Sequence, residues 1–244
     1  MLATDLLGFP SRTSGDVVGE LFDAVSRRLL IVARPAAQPE LWAAYLHGAR
    51  VSYAQHGVES AVDYDHVRDG ASTSLFVAAV ESDGRVVGGF RVQGPYLRVD
   101  QAYALQEWAG REGTTELRRQ IGRRLGAGVI EVKAVWVDRD AGRHDALTAV
   151  LARMFVHVLT LMGVRYAFCT AASHAVPRWE SSGGVVCTEV PPVAYPDERY
   201  RTLLMWWDRR HVAQLMTDEQ LPVMVLETTR LRRSAPGGRA PWVA

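Results

Sequence analysis

Little sulfur, almost no net charge and no long apolar run characterise this 244-residue chain before any motif does. The two cysteines, Cys169 and Cys187, sit far apart in the apolar runs YAFCT and VVCTE, without metal-ligand spacing. That predicts buried, reduced thiols and excludes a disulfide framework, and no metal is implied. Lys and Arg number 28 against 27 Asp and Glu, a formal charge of +1, so no global electrostatic pull toward nucleic acid or an anionic membrane exists. No stretch approaches the roughly 20 uninterrupted apolar residues of a membrane span. The start, MLATDLLGFPSRTSGD, has no basic region ahead of an apolar segment and does not read as a secretory signal, so a cytoplasmic location is expected. What remains is a globular composition, 48% hydrophobic and 23% charged, with no internal repeat and enough apolar material for a real core.

Residues 16 to 30 place Val17, Val18, Leu21, Phe22, Val25, Leu29 and Leu30 at helical spacing behind Asp16 as a cap, predicting a first helix. A second should open near Pro39 and run through Leu41, Trp42, Tyr45, Leu46 and Ala49 to end at Gly57. ESAVDYDHVRDGAS reads as loop or short helix. SLFVAAVESDGRVVGGFRVQGPY is a hairpin turning at Ser82, Asp83 and Gly84. Residues 96 to 125, rich in Arg and Glu, suit helices lying on a surface. A strand over GVIEVKAVWV, a periodic helix from about Asp145 to Met162 and a strand over VRYAFCT form a βαβ crossover with a parallel pair. VVCTEV and RYRTLLMWW predict an antiparallel return across a Pro-rich turn, and residues 209 to 228 a helix followed by a terminal strand VMVLETT.

The apparent violation lies in the central strand. Alternation puts Glu131 and Lys133 on one side, about 7 Å apart at roughly 3.4 Å per residue, while Ile130, Val132, Ala134 and Trp136 form an apolar side. Glu131 and Lys133 are either a structural pair or groups lining a cleft. A carboxylate there has its pKa raised by burial and lowered by a neighbouring ammonium. The loop DRDAGRHDAL follows at the carboxyl end of the strand and the start of a helix, where α/β sheets place phosphate ligands. Arg139, Gly142, Arg143 and His144 are the residue types that cradle one, although a solvated turn has the same composition.

Together, the helix pair, the hairpin LFVAAVESDGRVVGGFRV, the strand GVIEVKAVWV, the loop into a long helix and the closing strands resemble the Gcn5-related N-acetyltransferase fold over roughly residues 38 to 208. Tyr64 and Asp65, Gly88 to Arg91 (GGFR), Gly94 to Tyr96 (GPY) and Glu131 resemble the motifs of acyl-homoserine lactone synthases and long-chain N-acyl amino acid synthases. The resemblance implies an α/β (α+β) fold: a mixed, mostly antiparallel sheet with a central splayed parallel pair and helices on both faces. The domain organisation expected is a helical extension over residues 1–37, one acyltransferase domain of this kind over 38–228, and a tail over 229–244 whose Gly, Pro and Arg content reads as flexible or as a contact arm.

The activity implied is transfer of an acyl group from a thioester, acyl-CoA or an acyl carrier protein, to the primary amine of a small molecule. Glu131 would be the general base. Asp65, Arg91, Lys133 and Trp179 would orient substrate or shape its pocket, and Val137, Arg139, Gly142, Arg143 and His144 would hold the donor. Two positions depart from the pattern. His144 stands where the donor loop carries a small residue, and Ala134 replaces the arginine of E-x-x-R. An acetyl-CoA-dependent small-amine acetyltransferase and a catalytically silent binding member of the fold are the alternatives.

Overall fold

The computed structural model describes residues 17–234, with side chains through Leu231. The chain opens as β1 (Val17–Asp23) and β2 (Arg28–Ala33), an antiparallel pair with Leu21 opposite Leu30. These strands replace the helix expected there. The helical spacing was a coincidence of two strands joined by a four-residue turn. Val25, one of the supposed face residues, is 60% exposed at that turn, and Ser26 N–H donates to Asp23 Oδ2 at 2.6 Å to close it. The run LLIVA is buried throughout because β2 lies between β1 and β3, and β-branched residues suit such a strand.

Next come α1 (Pro39–Gln55), the short α2 (Tyr64–Val67), β3 (Leu75–Val80) and β4 (Val86–Gln93). Pro39 opens α1 as expected and Gly57, at φ 67°, follows its end. The chain continues through α3 (Ala104–Glu107), α4 (Thr114–Gly122), β5 (Val129–Val137), α5 (His144–Leu161), β6 (Tyr166–Ala172) and α6 (Val176–Glu180). It closes with β7 (Val185–Val186), β8 (Val193–Ala194), β9 (Arg201–Asp208), α7 (Val212–Leu215) and α8 (Gln220–Ser234). The expected terminal strand VMVLETT is therefore part of α8. Gln220, Met224, Glu227 and Leu231 are its buried positions while Val225 and Leu226 are exposed, a three-to-four-residue period that a strand cannot produce. β8 falls inside what reads as a Pro-rich turn. Of the expected tail, residues 235–244 lie outside the described residues, as does Asp16.

The sheet runs β1-β2-β3-β4-β5-β6-β9-β7, with β8 pairing β9. β5 and β6 are parallel, from Val129 opposite Tyr166 to Val132 opposite Cys169, and β9 returns antiparallel to β6. α5, long and apolar enough to cross a membrane by length and composition, supplies core: Leu147, Val150, Leu151, Met154, Phe155, Val158 and Leu159 are all fully buried.

The chain groups into two compact units. Of the described residues, one holds 17–91, Ala134–Leu151 and 223–234; the other holds Val92–Lys133 and Ala152–Pro222. In the first, α1 lays Leu41, Trp42, Tyr45, Leu46 and Ala49 against Ile31, Phe76, Ala78 and Trp136. In the second, Trp108, Leu117 and Ile121 pack with Val129, Phe168, Leu204 and Trp206. α3 is thus not a surface helix as expected, whereas α4 does present Arg118 and Arg119 to solvent.

Gly48 on α1 fixes how closely that helix approaches Trp136. A Cβ there would sit 2.1 Å from the indole Cη2. Helix propensity alone favours alanine by about 1 kcal/mol, but overpacking costs about 1–3 kcal/mol or more, and Trp136 is 5% exposed with little room to move. Gly48→Ala is expected to lower the urea midpoint. A raised midpoint would show that the contact yields.

Candidate functional site

In the second unit, the turn after β4 builds the site. Gly94, at φ 95°, lets the chain pass close to β5, where a Cβ would meet Val129 O at 2.9 Å. Tyr96 N–H then donates to that same carbonyl at 2.9 Å. The phenol of Tyr96 is thereby brought to Glu131, with its hydroxyl donating to Oε2 at 2.7 Å. Tyr103 N–H donates to Oε2 at 2.8 Å and Ala104 N–H to Oε1 at 3.0 Å. A carboxylate at the start of α3 satisfies amides that the helix itself cannot. Glu131 is completely buried.

Lys133, on the same side of β5, has its ammonium 3.9 Å from Glu131 Oε1 and in direct contact with Glu107 Oε1 at the end of α3. It also reaches Thr170 Oγ1 on β6 at 3.3 Å and lies 4.7 Å from the centre of the Tyr103 ring. Two carboxylates therefore share one ammonium, all nine-tenths or more buried. Glu107 Oε2 has no hydrogen-bond partner among the described residues. Burial pushes the pKa of Glu131 above its ordinary value, Lys133 pulls it back, and Glu107 pushes it up again. Cys169 on β6 is a free, buried thiol whose pKa burial raises further out of reach, and Cys187 is pushed up to about 11, chiefly by burial. Neither is a nucleophile near neutral pH.

Glu107 and Tyr103 were not among the residues singled out from the sequence, and Tyr96 stood out only as the end of the GPY motif, without a role at the site. Glu107 carried a signal all the same. It falls three after Ala104 and one before Trp108, on the apolar side of an otherwise charged segment, and an acid in that phase must find a partner.

The remaining expected residues are distributed as follows. In the second unit, Trp179 on α6 stacks on Phe155 at 5.1 Å between ring centres, the contact of a core wall. In the first unit, Asp65 is exposed on α2, and Arg91 on β4 is buried, 2% exposed. Val137 ends β5 half-buried, and Arg139, Gly142 and Arg143 are exposed in the loop that follows. Arg85 holds Asp138 at 2.6 Å, while Asp138 N–H donates to Val87 O at 2.8 Å, anchoring the loop to the β3–β4 hairpin.

Arg143, at φ 64°, donates to Val25 O at 2.8 Å, so its guanidinium is tied to the β1–β2 turn. A cleft of about 490 Å³ lies beside it, lined by Arg27, Arg28, Arg143, Glu81 and Asp83 among others. His144 opens α5 with its ring nitrogen 4.0 Å from Asp145. The Ala134 that replaces the expected arginine has φ 50°, a left-handed conformation costly for a residue with a Cβ. Its carbonyl accepts the Tyr45 hydroxyl at 2.7 Å.

No protein-family model matches the chain. Among solved structures, FeeM, an N-acyl amino acid synthase from uncultured soil microbes, is similar at a TM-score of 0.54, with 14% identity over 78% of this chain and 95% of that one. The acyl-homoserine lactone synthase LasI is similar at a TM-score of 0.51, with 16% identity over 74% of this chain and 90% of its own. At such identity the likeness is one of fold, and the Gcn5-related N-acetyltransferase-like fold expected from the motifs is the fold observed. In sequence, the Uncharacterized protein Rv1356c of Mycobacterium tuberculosis (strain ATCC 25618 / H37Rv) is 48% identical over 204 residues, 84% of this chain and 78% of that protein. The Uncharacterized protein Mb1391c of Mycobacterium bovis matches to the same extent. Identity at that level over most of both chains makes this protein a member of the family to which those mycobacterial proteins belong.

Proposed function

We propose that the protein is an N-acyltransferase moving an acyl group from a thioester, acyl-CoA or acyl carrier protein, to the primary amine of a small molecule such as an amino acid. The observation that carries this reading is the buried group of Glu131, Lys133 and Glu107 on β5 and α3, in a fold shared with N-acyl amino acid and acyl-homoserine lactone synthases. An attacking amine forms a C–N bond to the thioester carbonyl and must lose a proton. The carbonyl oxygen becomes an oxyanion, and collapse breaks the C–S bond to release a thiolate that takes up a proton. Glu131 is the proposed base, acting directly or through water, with a pKa raised toward the range where a base works best. The Lys133 ammonium opposes the developing negative charge. Arg139, Gly142, Arg143 and His144, at the end of the strand bearing Val137, are the proposed donor contacts, with Asp65 and Trp179 as lesser candidates for the acceptor side.

The tie between Arg143 and Val25, together with His144 in place of a small residue, favours a donor held by few phosphate contacts, which suits a carrier protein as well as coenzyme A. One observation favours a silent, ligand-binding member instead: both oxygens of Glu131 are already engaged. Incubation of the full chain with acyl-CoA and acyl-carrier-protein panels of increasing chain length plus pooled amino acids, read by mass spectrometry, distinguishes the two. An N-acyl product is expected. Retention of a ligand without any product would leave the silent reading standing.

A further inference from the structure

Among the described residues, no carboxylate answers the charge of Arg91. The residue is 2% exposed, yet among the described residues its one hydrogen bond is a long one, 3.5 Å from Nη1 to Thr73 Oγ1, and Nε has no acceptor. Among the described residues no carboxylate pairs with it. Tyr45, whose phenol feels the Arg91 charge, does not balance it as a phenolate. Burial holds that phenol well above its ordinary pKa despite Arg91, and its hydroxyl is committed to Ala134 O. Among the described residues of the same unit four further buried polar atoms lack partners; two of them are Ser72 Oγ, next to Thr73 in the chain, and Nε1 of Trp136, whose ring lies 6.3 Å from that of Tyr45, and the other two are Ser26 Oγ and Arg28 Nε. A guanidinium cannot escape burial by losing its proton, and a buried charge without a counter-charge is among the most costly arrangements a fold can hold. Such an arrangement points to a ligand that completes it.

We propose that Arg91 is the receptor for a carboxylate on the acceptor molecule, so that the acceptor is an amino acid and not a simple amine. This deepens the acyltransferase reading and rests on it. With Nη1 turned to Thr73, the edge of the guanidinium that carries Nε is the one without an acceptor among the described residues, and its parallel N–H groups match the two oxygens of a carboxylate. The charges also match one to one. A phosphate dianion would leave an excess negative charge buried beside a single cation.

The test is direct binding by calorimetry to the full chain, with no acyl donor present, of each proteinogenic L-amino acid. For every one that binds, its carboxamide and its decarboxylated amine are also titrated. At least one amino acid is expected to bind, with amide and amine about 100-fold weaker. Arg91→Met is expected to bind acid and amide alike, and Arg91→Lys to keep part of the preference. Because Arg91→Met removes an unanswered charge, its melting temperature should be no lower than that of the wild type.

A carboxylate preference that survives Arg91→Met, equal binding of acid and amide, no binding of any amino acid, or displacement of the bound amino acid by equimolar inorganic phosphate would each overturn the proposal. So would a fall in melting temperature, which would reveal an internal partner. Intact carboxylate preference without acyl transfer in the product assay would overturn the proposed reaction and leave the receptor in place. Transfer to simple amines as readily as to amino acids would do the reverse.

Discussion

Glu131→Gln is expected to lower turnover by about 10²-fold or more while leaving the chain folded. The substitution keeps the volume of the side chain. It removes the proton-accepting carboxylate and sets an amide NH₂ against a neighbouring donor, either the Tyr96 hydroxyl and Tyr103 N–H on one oxygen or Ala104 N–H on the other. A purely structural role predicts a loss of stability with a rate that recovers once the folded fraction is corrected for. A base predicts a change in the pH profile. Glu131 must be ionised to take a proton, and burial holds its pKa above the ordinary value. Activity of the wild type should therefore fall as pH drops through that raised value, and the variant's residual activity should lose this acidic limb. Turnover unchanged in Glu131→Gln would remove the residue from the base's role and move attention to Glu107, whose Oε2 is the oxygen of the group without a partner.

Lys133→Met should be the most destabilising single change in the group, costing about 3–5 kcal/mol near neutral pH. Methionine fits the space of the lysine stem, so packing is nearly conserved and the loss reports charge. Without the ammonium, Glu107 and Glu131 are left buried without the cation they share, and only the hydrogen bonds to Glu131 remain to offset its charge. The pH dependence follows from linkage. Glu131 already has a folded pKa above its unfolded one, and removing the cation that lowers it widens the gap. Between the two values the folded state binds more protons than the unfolded state, so stability falls as pH rises through that window and recovers on acidification. Urea unfolding of Lys133→Met near pH 7.5 and near pH 5 should show the deficit shrinking at the lower pH. A deficit equal at both would mean that the loss comes from packing and not from charge.

Most of the β-sheet was legible in the sequence because its local signals agree with the fold. The SDG turn between two apolar runs, the broad apolar stripe of α5 and the Glu–Lys pair inside GVIEVKAVWV each state their structure within a dozen residues. The failures were of two physical kinds. Over residues 17–33 a turn of four residues brought the side chains of two strands into helical phase by accident, and only pairing with β3 settles the matter. In VMVLETT, β-branched composition argued for a strand, but which residues are buried is decided by tertiary contacts of α8. The site was half legible for a related reason. Glu131 announces itself as an acid in an apolar run, whereas Glu107 hides among the charges of QEWAGREG. The isolation of Arg91 is a property of what surrounds it in space, and no spacing in the chain encodes the lack of a partner.

The buried guanidinium of Arg91 has a consequence outside catalysis. A protein that folds around an uncompensated charge is less stable than its core would allow, and any molecule that neutralises the charge in the folded state alone draws the folding equilibrium toward itself in proportion to its concentration. Since small differences in stability translate into several-fold differences in how much protein survives cellular quality control, the amount of this chain in a cell would follow the supply of its anionic ligand. Substrate scarcity would then remove the protein as well as idle it.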